Sequence, residues 1–229
     1  MIKVLDVEQL LYKILPLKFK VLIDKLIPYT VTAILLRMLT DSNSFLDIGC
    51  GRGDIIRSLK NLGFQVHYTI GVDVFLPYIK YCKYNYYCVM LADARYLPFK
   101  SKSIDVCGCF DLIEHLEKYE GENLIQEMER IARKQVIIFT PNGFLGQKAY
   151  NNNVFQVHKS GYTWLDFEKK GYIIKGVRGL KILRGERAVL RYKFLGFFVL
   201  LLSIASQLYL LNHPKHAFQI LCIKNLEEK

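Results

Sequence analysis

The chain is poor in the features that organise small or secreted domains. Its 229 residues include six cysteines, six prolines and one tryptophan. The cysteines fall at 50, 82, 88, 107, 109 and 222, with no CxxC pair and no Cys/His spacing suited to zinc. Several sit in apolar, strand-like runs, where a free thiol behaves as a small hydrophobe, so a reduced, cytoplasmic protein is the simplest expectation. The N-terminus lacks a secretory pattern, because Asp6 and Glu8 interrupt the apolar residues and no small-residue cleavage site follows. Internal repeats and low-complexity linkers are missing as well. Negative charge is scarce: 32 Lys and Arg stand against 21 Asp and Glu, for a net charge of +11. What is abundant is apolar surface. Hydrophobic content of 52% and aromatic content of 13% argue against any long disordered stretch, and the length suits one domain with a small appendage.

The hydrophobic pattern changes character along the chain. Residues 1–43 read as helices separated by Pro16 and Pro28, an N-terminal extension ahead of a main domain over 44–229. From Phe45 short apolar runs alternate with amphipathic segments. Strands are expected over Phe45–Ile48, Val66–Val72, Tyr87–Leu91, Ile104–Phe110 and Val136–Thr140. Helix faces are traced by Ile55, Ile56, Leu59 and Leu62, and by Leu124, Ile125, Met128, Ile131 and Ala132. This alternation predicts an α/β fold with a mostly parallel sheet covered by helices on both faces. A helix over Trp164–Lys170 and late strands at Tyr172–Val177 and Ala217–Lys224 follow. Between those strands, Phe194–Leu211 reads as a hydrophobic helix inserted before the last strand. It is expected to pack internally or to lie in a membrane interface, and not to span a bilayer.

The segment Phe45-Leu46-Asp47-Ile48-Gly49-Cys50-Gly51-Arg52-Gly53 carries the most chemistry. A strand runs into glycines and a helix follows at once, which brings backbone amides against a ligand's polar groups. A dinucleotide fingerprint would need glycine at 54, where Asp54 stands, and the Gly-Lys-Ser/Thr of a P-loop is absent. Asp47 lies at a strand's carboxyl end, where open α/β sheets bind ligands, and a cationic ligand would favour an acid there. Asp73 ends the second strand and is suited to ribose hydroxyls. Asp93 follows the third and is suited to an exocyclic amine. Each aspartate alone is more often a cap or turn residue, but three at successive strand ends are hard to attribute to chance.

On these residues the stretch from Phe45 to about Leu165 resembles the class I S-adenosylmethionine (SAM)-dependent methyltransferases, including the ubiquinone-biosynthesis O-methyltransferases. The family's glycine motif is matched by Asp47, Gly49, Gly51 and Gly53, its ribose acid by Asp73 and its adenine-side acid by Asp93. Cys50, Val74, Ala94 and Phe110 are the neighbours that the resemblance implies in the cofactor site. It also implies a Rossmann-like, seven-stranded sheet whose last strand, Ala217–Lys224, runs antiparallel beside the fifth, with SAM as cofactor.

The substrate side is open. The (D/N)PP(Y/F) turn typical of base N-methyltransferases is replaced by Phe110-Asp111-Leu112-Ile113, which points to an oxygen acceptor. Asp111, Glu114 and His115, with His158 further on, resemble the carboxylate–histidine pattern by which some O-methyltransferases hold a divalent metal. The first position is Asp where the pattern has Glu, and a lining role without metal is the preferred expectation. His115 or His158 near the acceptor would act as a base, since an ordinary histidine titrates near ~6.5. A small, lipophilic acceptor met at a membrane surface is the first acceptor class. RNA is the alternative, supported by nine Lys and Arg between Lys169 and Lys193 and by the aromatics Tyr162 and Trp164. A non-catalytic SAM-binding subunit is the third reading.

Overall fold

The computed structural model describes residues 30–39, 41–149, 153–184, 202 and 205–226. Its centre is a seven-stranded sheet of β1 (Ser44–Ile48), β2 (Tyr68–Asp73), β3 (Cys88–Leu91), β4 (Ile104–Phe110), β5 (Ala132–Pro141), β6 (Ile173–Leu180) and β7 (Ala217–Asn225). The strand order is β3-β2-β1-β4-β5-β7-β6. The first five strands pair in parallel, and β7 lies antiparallel between β5 and β6. The expected place of the last strand beside the fifth is therefore met.

Alternation along the strands builds two cores. Leu46, Cys107, Val136, Ile138 and Cys222 point to one face, while Phe45, Val106, Ile137, Phe139 and Leu221 point to the other. Helix α4 (Lys118–Ile131) covers the first face through Leu124, Ile125, Met128 and Ile131, joined by Phe167 of α5 (Trp164–Glu168). The second face is covered by α1 (Val31–Leu39), α2 (Asp54–Asn61) and α3 (Leu76–Cys82), through Leu35, Leu39, Ile56, Leu59, Ile79 and Cys82. Helix α6 (Gln207–Leu210) packs on β6, where Gln207 Nε2 donates to the Gly176 carbonyl at 2.9 Å.

Two differences from the sequence reading bear on the site. Strand β2 begins at Tyr68, two residues after the expected Val66, and α3 is a helix that the apolar pattern does not predict. The proposed helices before residue 30 and most of Phe194–Leu211 lie outside the described residues. Among the described residues no helix is long and apolar enough to cross a membrane.

All six cysteines are free, and only Cys88 is exposed. The two layers are closely fitted at α4, where Gly121 abuts Tyr162. The Tyr162 hydroxyl donates to the Lys118 carbonyl at 3.2 Å, and a Cβ at position 121 would collide with that hydroxyl. Although alanine is the better helix former, Gly121→Ala is expected to lower stability by about 1–3 kcal/mol through overpacking. Adding Tyr162→Phe should recover part of that loss. Urea denaturation of the two variants measures both, and an unchanged midpoint in the single variant would refute the packing account.

Candidate functional site

The strands' carboxyl ends open into a cleft of about 370 Å³. Its floor is the glycine turn between β1 and α2. Gly49, Gly51 and Gly53 have φ of 73°, 53° and 72°, a left-handed backbone that glycine adopts without strain. The Gly49 and Cys50 amides both donate to the Val72 carbonyl, at 2.7 and 2.9 Å, which fastens the turn to β2. A Cβ on Gly49 would stand 2.8 Å from Leu112, whereas Gly51 has open space before it. The turn is thus packed behind and free in front.

Asp73 closes one side. Its Oδ2 accepts from the Gly51 amide at 2.9 Å and its Oδ1 from Phe75 at 2.8 Å, while burial pushes its titration upward. Asp93 lines the cleft from the end of β3 and is held by Arg95, whose NH2 lies 2.6 Å from Oδ2 and whose NH1 reaches Glu120 at 2.9 Å. That hydrogen-bonded pairing lowers the titration of both acids. Val74 and Ala94 line the cleft as well. Asp47, Cys50 and Phe110 are buried behind the lining. Asp47 Oδ2 accepts from the Tyr86 hydroxyl at 2.6 Å, but its Oδ1 is buried without a partner. Burial, eased by the Tyr86 bond and aggravated by Asp73, raises its titration to about 7.

The opposite side of the cleft is built on β4. Asp111 follows the strand at a left-handed φ of 49°, and Gln219 of β7 donates to its Oδ1 at 2.7 Å. Burial raises Asp111 to about 6, against the pull of Arg178. A 3-10 turn then presents Glu114 and His115. Glu114 Oε2 accepts from Thr140 at 2.9 Å, while Oε1 is buried without a partner, and burial raises its titration well above the ordinary range. The Lys159 and Ser160 amides donate to the Glu114 carbonyl, at 2.9 and 3.1 Å, which draws the His158 loop over this turn.

His115 and His158 meet edge to face, with ring centroids 4.7 Å apart. Nδ1 of His115 faces the Val157 carbonyl at 3.1 Å, and Nδ1 of His158 faces that of Leu145. A carbonyl oxygen only accepts, so the Nδ1 facing it carries the proton in each ring, and the His115 ring also bonds the Asp111 backbone. Burial lowers His115 to about 4 and lowers His158 too, below the ~6.5 of an ordinary histidine. One donor atom each from Glu114, His115 and His158 lie within 4.8 Å of one another. Asp111 stands outside this set, engaged by Gln219. The orphaned Glu114 oxygen and two imidazoles locked by carbonyls suit a divalent cation.

Several cleft residues were not singled out from the sequence: Tyr78, Arg95, Leu112, Leu116, Glu120, Lys159 and the short turn Val154–Gln156. Arg95 is the one with a signal, since it stands two residues after Asp93. The aromatics named for RNA contact are not freely exposed. Tyr162 is fully buried and Trp164 packs partly against the core. The basic segment is also partly engaged within the fold: Arg184 is buried, Arg178 lies over the Phe139 ring and Lys181 donates to the Asn142 carbonyl. Residues 185–193 lie outside the described part.

Residues 46–140 match the family model of a methyltransferase domain. Over those residues the chain carries a methyltransferase domain. Among curated relatives, an uncharacterized protein of Methanocaldococcus jannaschii is 28% identical over 152 residues, 65% of this chain and 57% of that protein. The mouse tRNA (carboxymethyluridine(34)-5-O)-methyltransferase ALKBH8 is 28% identical over 153 residues, 66% of this chain but 19% of that enzyme. The chain spans less than two thirds of the curated relatives it matches. A SAM-dependent methyltransferase from Archaeoglobus fulgidus shares the fold, with a TM-score of 0.52, 18% identity and coverage of 89% of this chain and 98% of its own.

The methyltransferase domain keeps buried carboxyls that titrate late, and this has a pH signature. Asp47 and Glu114 hold protons that the unfolded chain releases near pH ~4. His115 and His158 act oppositely, but their depressed titrations affect stability only below their unfolded value of ~6.5. Between about pH 6.5 and 8 the folded, cofactor-free protein therefore binds more protons than the unfolded one, and stability falls as pH rises. Asp47→Asn is expected to make that fall shallower. A melting temperature constant or rising from pH 6.5 to 8 in the wild type contradicts the assignment.

Proposed function

We propose that this protein transfers the methyl group of SAM to an oxygen of an acceptor seated against His115 and His158. The observation that carries the reading is the placing of His115 in the same cleft as Asp73 and the glycine turn, with the His158 ring packed edge to face against it. In the proposed complex Asp73 accepts from the ribose hydroxyls, and Asp93 serves the adenine side. The glycine turn would take the methionine end, whose cationic groups would favour the ionised form of Asp47 behind it.

Methyl transfer from a sulfonium is an in-line displacement, so positioning supplies most of the catalysis. The proton on the acceptor is the remaining problem. An imidazole held near 4 is too weak a base for an alcohol, whereas a carboxyl acceptor is already ionised at neutral pH and brings no proton to remove. A divalent ion on Glu114, His115 and His158 would lower the acidity barrier of a less acidic acceptor by polarising its oxygen. Asp111, held by Gln219, is not among those three donors.

Two acceptor classes remain distinct. Leu116 and the exposed Val154 and Phe155 give the cleft an apolar wall suited to a small, lipophilic acid. RNA is the second class, favoured by the mouse relative, whose name describes O-methylation of a carboxymethyl group on tRNA.

Calorimetry with S-adenosylhomocysteine should show binding that Asp73→Ala weakens at least tenfold. Binding of NADH in place of S-adenosylhomocysteine would end the cofactor assignment. Labelled SAM incubated with cell extract should yield a base-labile methyl product, separable into lipid, RNA, protein or small-molecule fractions. Turnover of that product is expected to survive EDTA and to be lost in the His115→Ala/His158→Ala variant with cofactor affinity retained. Full activity in the double variant removes the histidines from the mechanism.

A further inference from the structure

The edge of the sheet that borders the cofactor cleft has a composition found nowhere else among the described residues. From Val74 to Ala92 the chain contains Lys80 and Lys83, no Asp or Glu, and five of the protein's 15 tyrosines. This stretch forms α3, the connection after it and the edge strand β3. Tyr86 is turned inward to Asp47, but the others are not consumed by the core. Tyr81, Tyr84 and Tyr87 are 57%, 83% and 71% exposed. Tyr78 lines the cleft itself, so the row of rings begins at the cleft and follows α3 away from it.

Cations are set among these rings. The Arg52 guanidinium, next to the glycine turn, lies 5.7 Å from the Tyr78 centroid and 5.4 Å from that of Tyr81. Lys83 Nζ lies 4.8 Å over Tyr84. Tyr87 is buttressed edge to face by Tyr68 at 5.1 Å, and Lys60 fixes the connection by donating to the Asn85 carbonyl at 2.6 Å. The exposed acid nearby in sequence, Asp54, is paired with Arg57. Rigid rings with interleaved uncompensated cations are complementary to a flexible polyanion whose units carry flat faces. A bilayer surface calls for a different set. Over Val74–Ala92 the exposed large hydrophobic side chains are Tyr81, Tyr84 and Tyr87, with Leu76 and Leu91 only at the two ends and no exposed Ile, Phe or Trp among the rings to insert.

We propose that this edge is a docking surface for single-stranded RNA, on which bases stack against Tyr81, Tyr84 and Tyr87 while Lys80, Lys83 and Arg52 meet the phosphates. The tyrosine hydroxyls are the groups that would engage 2′-hydroxyls and so prefer RNA to DNA. The proposal deepens the methyl-transfer reading, on which it rests for what happens after docking, and it selects RNA from its two acceptor classes.

The test is fluorescence anisotropy with a labelled single-stranded RNA of mixed sequence and with DNA of the same sequence. Loss of one stacking ring typically changes affinity by roughly five- to a hundredfold. The Tyr81→Ser/Tyr84→Ser/Tyr87→Ser variant is therefore expected to bind RNA at least tenfold more weakly. A second variant, Lys80→Glu/Lys83→Glu, should weaken binding most at low salt and flatten the dependence of affinity on salt. Both variants should bind S-adenosylhomocysteine as the wild type does, which reports folding and the cofactor site independently of RNA. Unchanged RNA affinity in the triple variant, equal affinity for DNA, or binding to anionic phospholipid vesicles without binding to RNA would each overturn the proposal. Failure of the wild type to bind S-adenosylhomocysteine would count against the methyl-transfer reading alone, because RNA affinity is read separately.

Discussion

Two carboxyl side chains are buried at the ends of β1 and β4 with an oxygen that has no partner. Asp47 and Glu114 each have one oxygen satisfied, by Tyr86 and Thr140, and one left over. An unpaired polar atom in this position costs free energy that a purely structural role would not repay. The cost is concentrated at the carboxyl edge of the sheet, where the surrounding backbone is also forced into unusual conformations. The glycine turn is left-handed at three residues, and Asp111 takes a left-handed φ without being glycine. Local strain and unmet polar groups in one place are the physical mark of a site arranged for a ligand.

That arrangement depends on the way the sheet is closed. Strand β7 fills the gap between β5 and β6 and delivers Gln219 to Asp111. The same insertion buries Thr140, which holds Glu114, under the sheet's last layer. Glu114 in turn offers its backbone carbonyl to the His158 loop. The two histidines are therefore brought together by segments far apart in sequence, through the Glu114 carbonyl and through the His115 ring, whose Nδ1 meets the Val157 carbonyl beside His158.

The legibility of the sequence follows the range of the forces involved. Period-two alternation and glycine spacing are local, and they were enough to place all seven strands, the glycine turn and the aspartates at the ends of β2 and β3. Helix α3 was not legible because its face toward the sheet has only Ile79 and Cys82 buried, with lysine and tyrosine filling the rest. The tautomers of His115 and His158 were not legible either, because the carbonyls that set them belong to a loop 13 to 42 residues away. Burial of Tyr162 was missed for a related reason. A tyrosine beside Trp164 in a polar stretch reads as surface, yet its ring fills the space left by the missing side chain of Gly121.

The pairing of a weak base with a crowded cationic edge narrows the chemistry further. Burial keeps His115 neutral over the whole physiological range, so it adds no positive charge to the cleft. For the anionic acceptor proposed above, attraction would then come from outside, from Lys159 in the cleft lining and from the cations along α3. Such an arrangement separates capture from chemistry. Charge that gathers the acceptor stays in water, where it is screened and releases readily, while the uncharged imidazoles stay inside, where a fixed charge would oppose the approach of the SAM sulfonium.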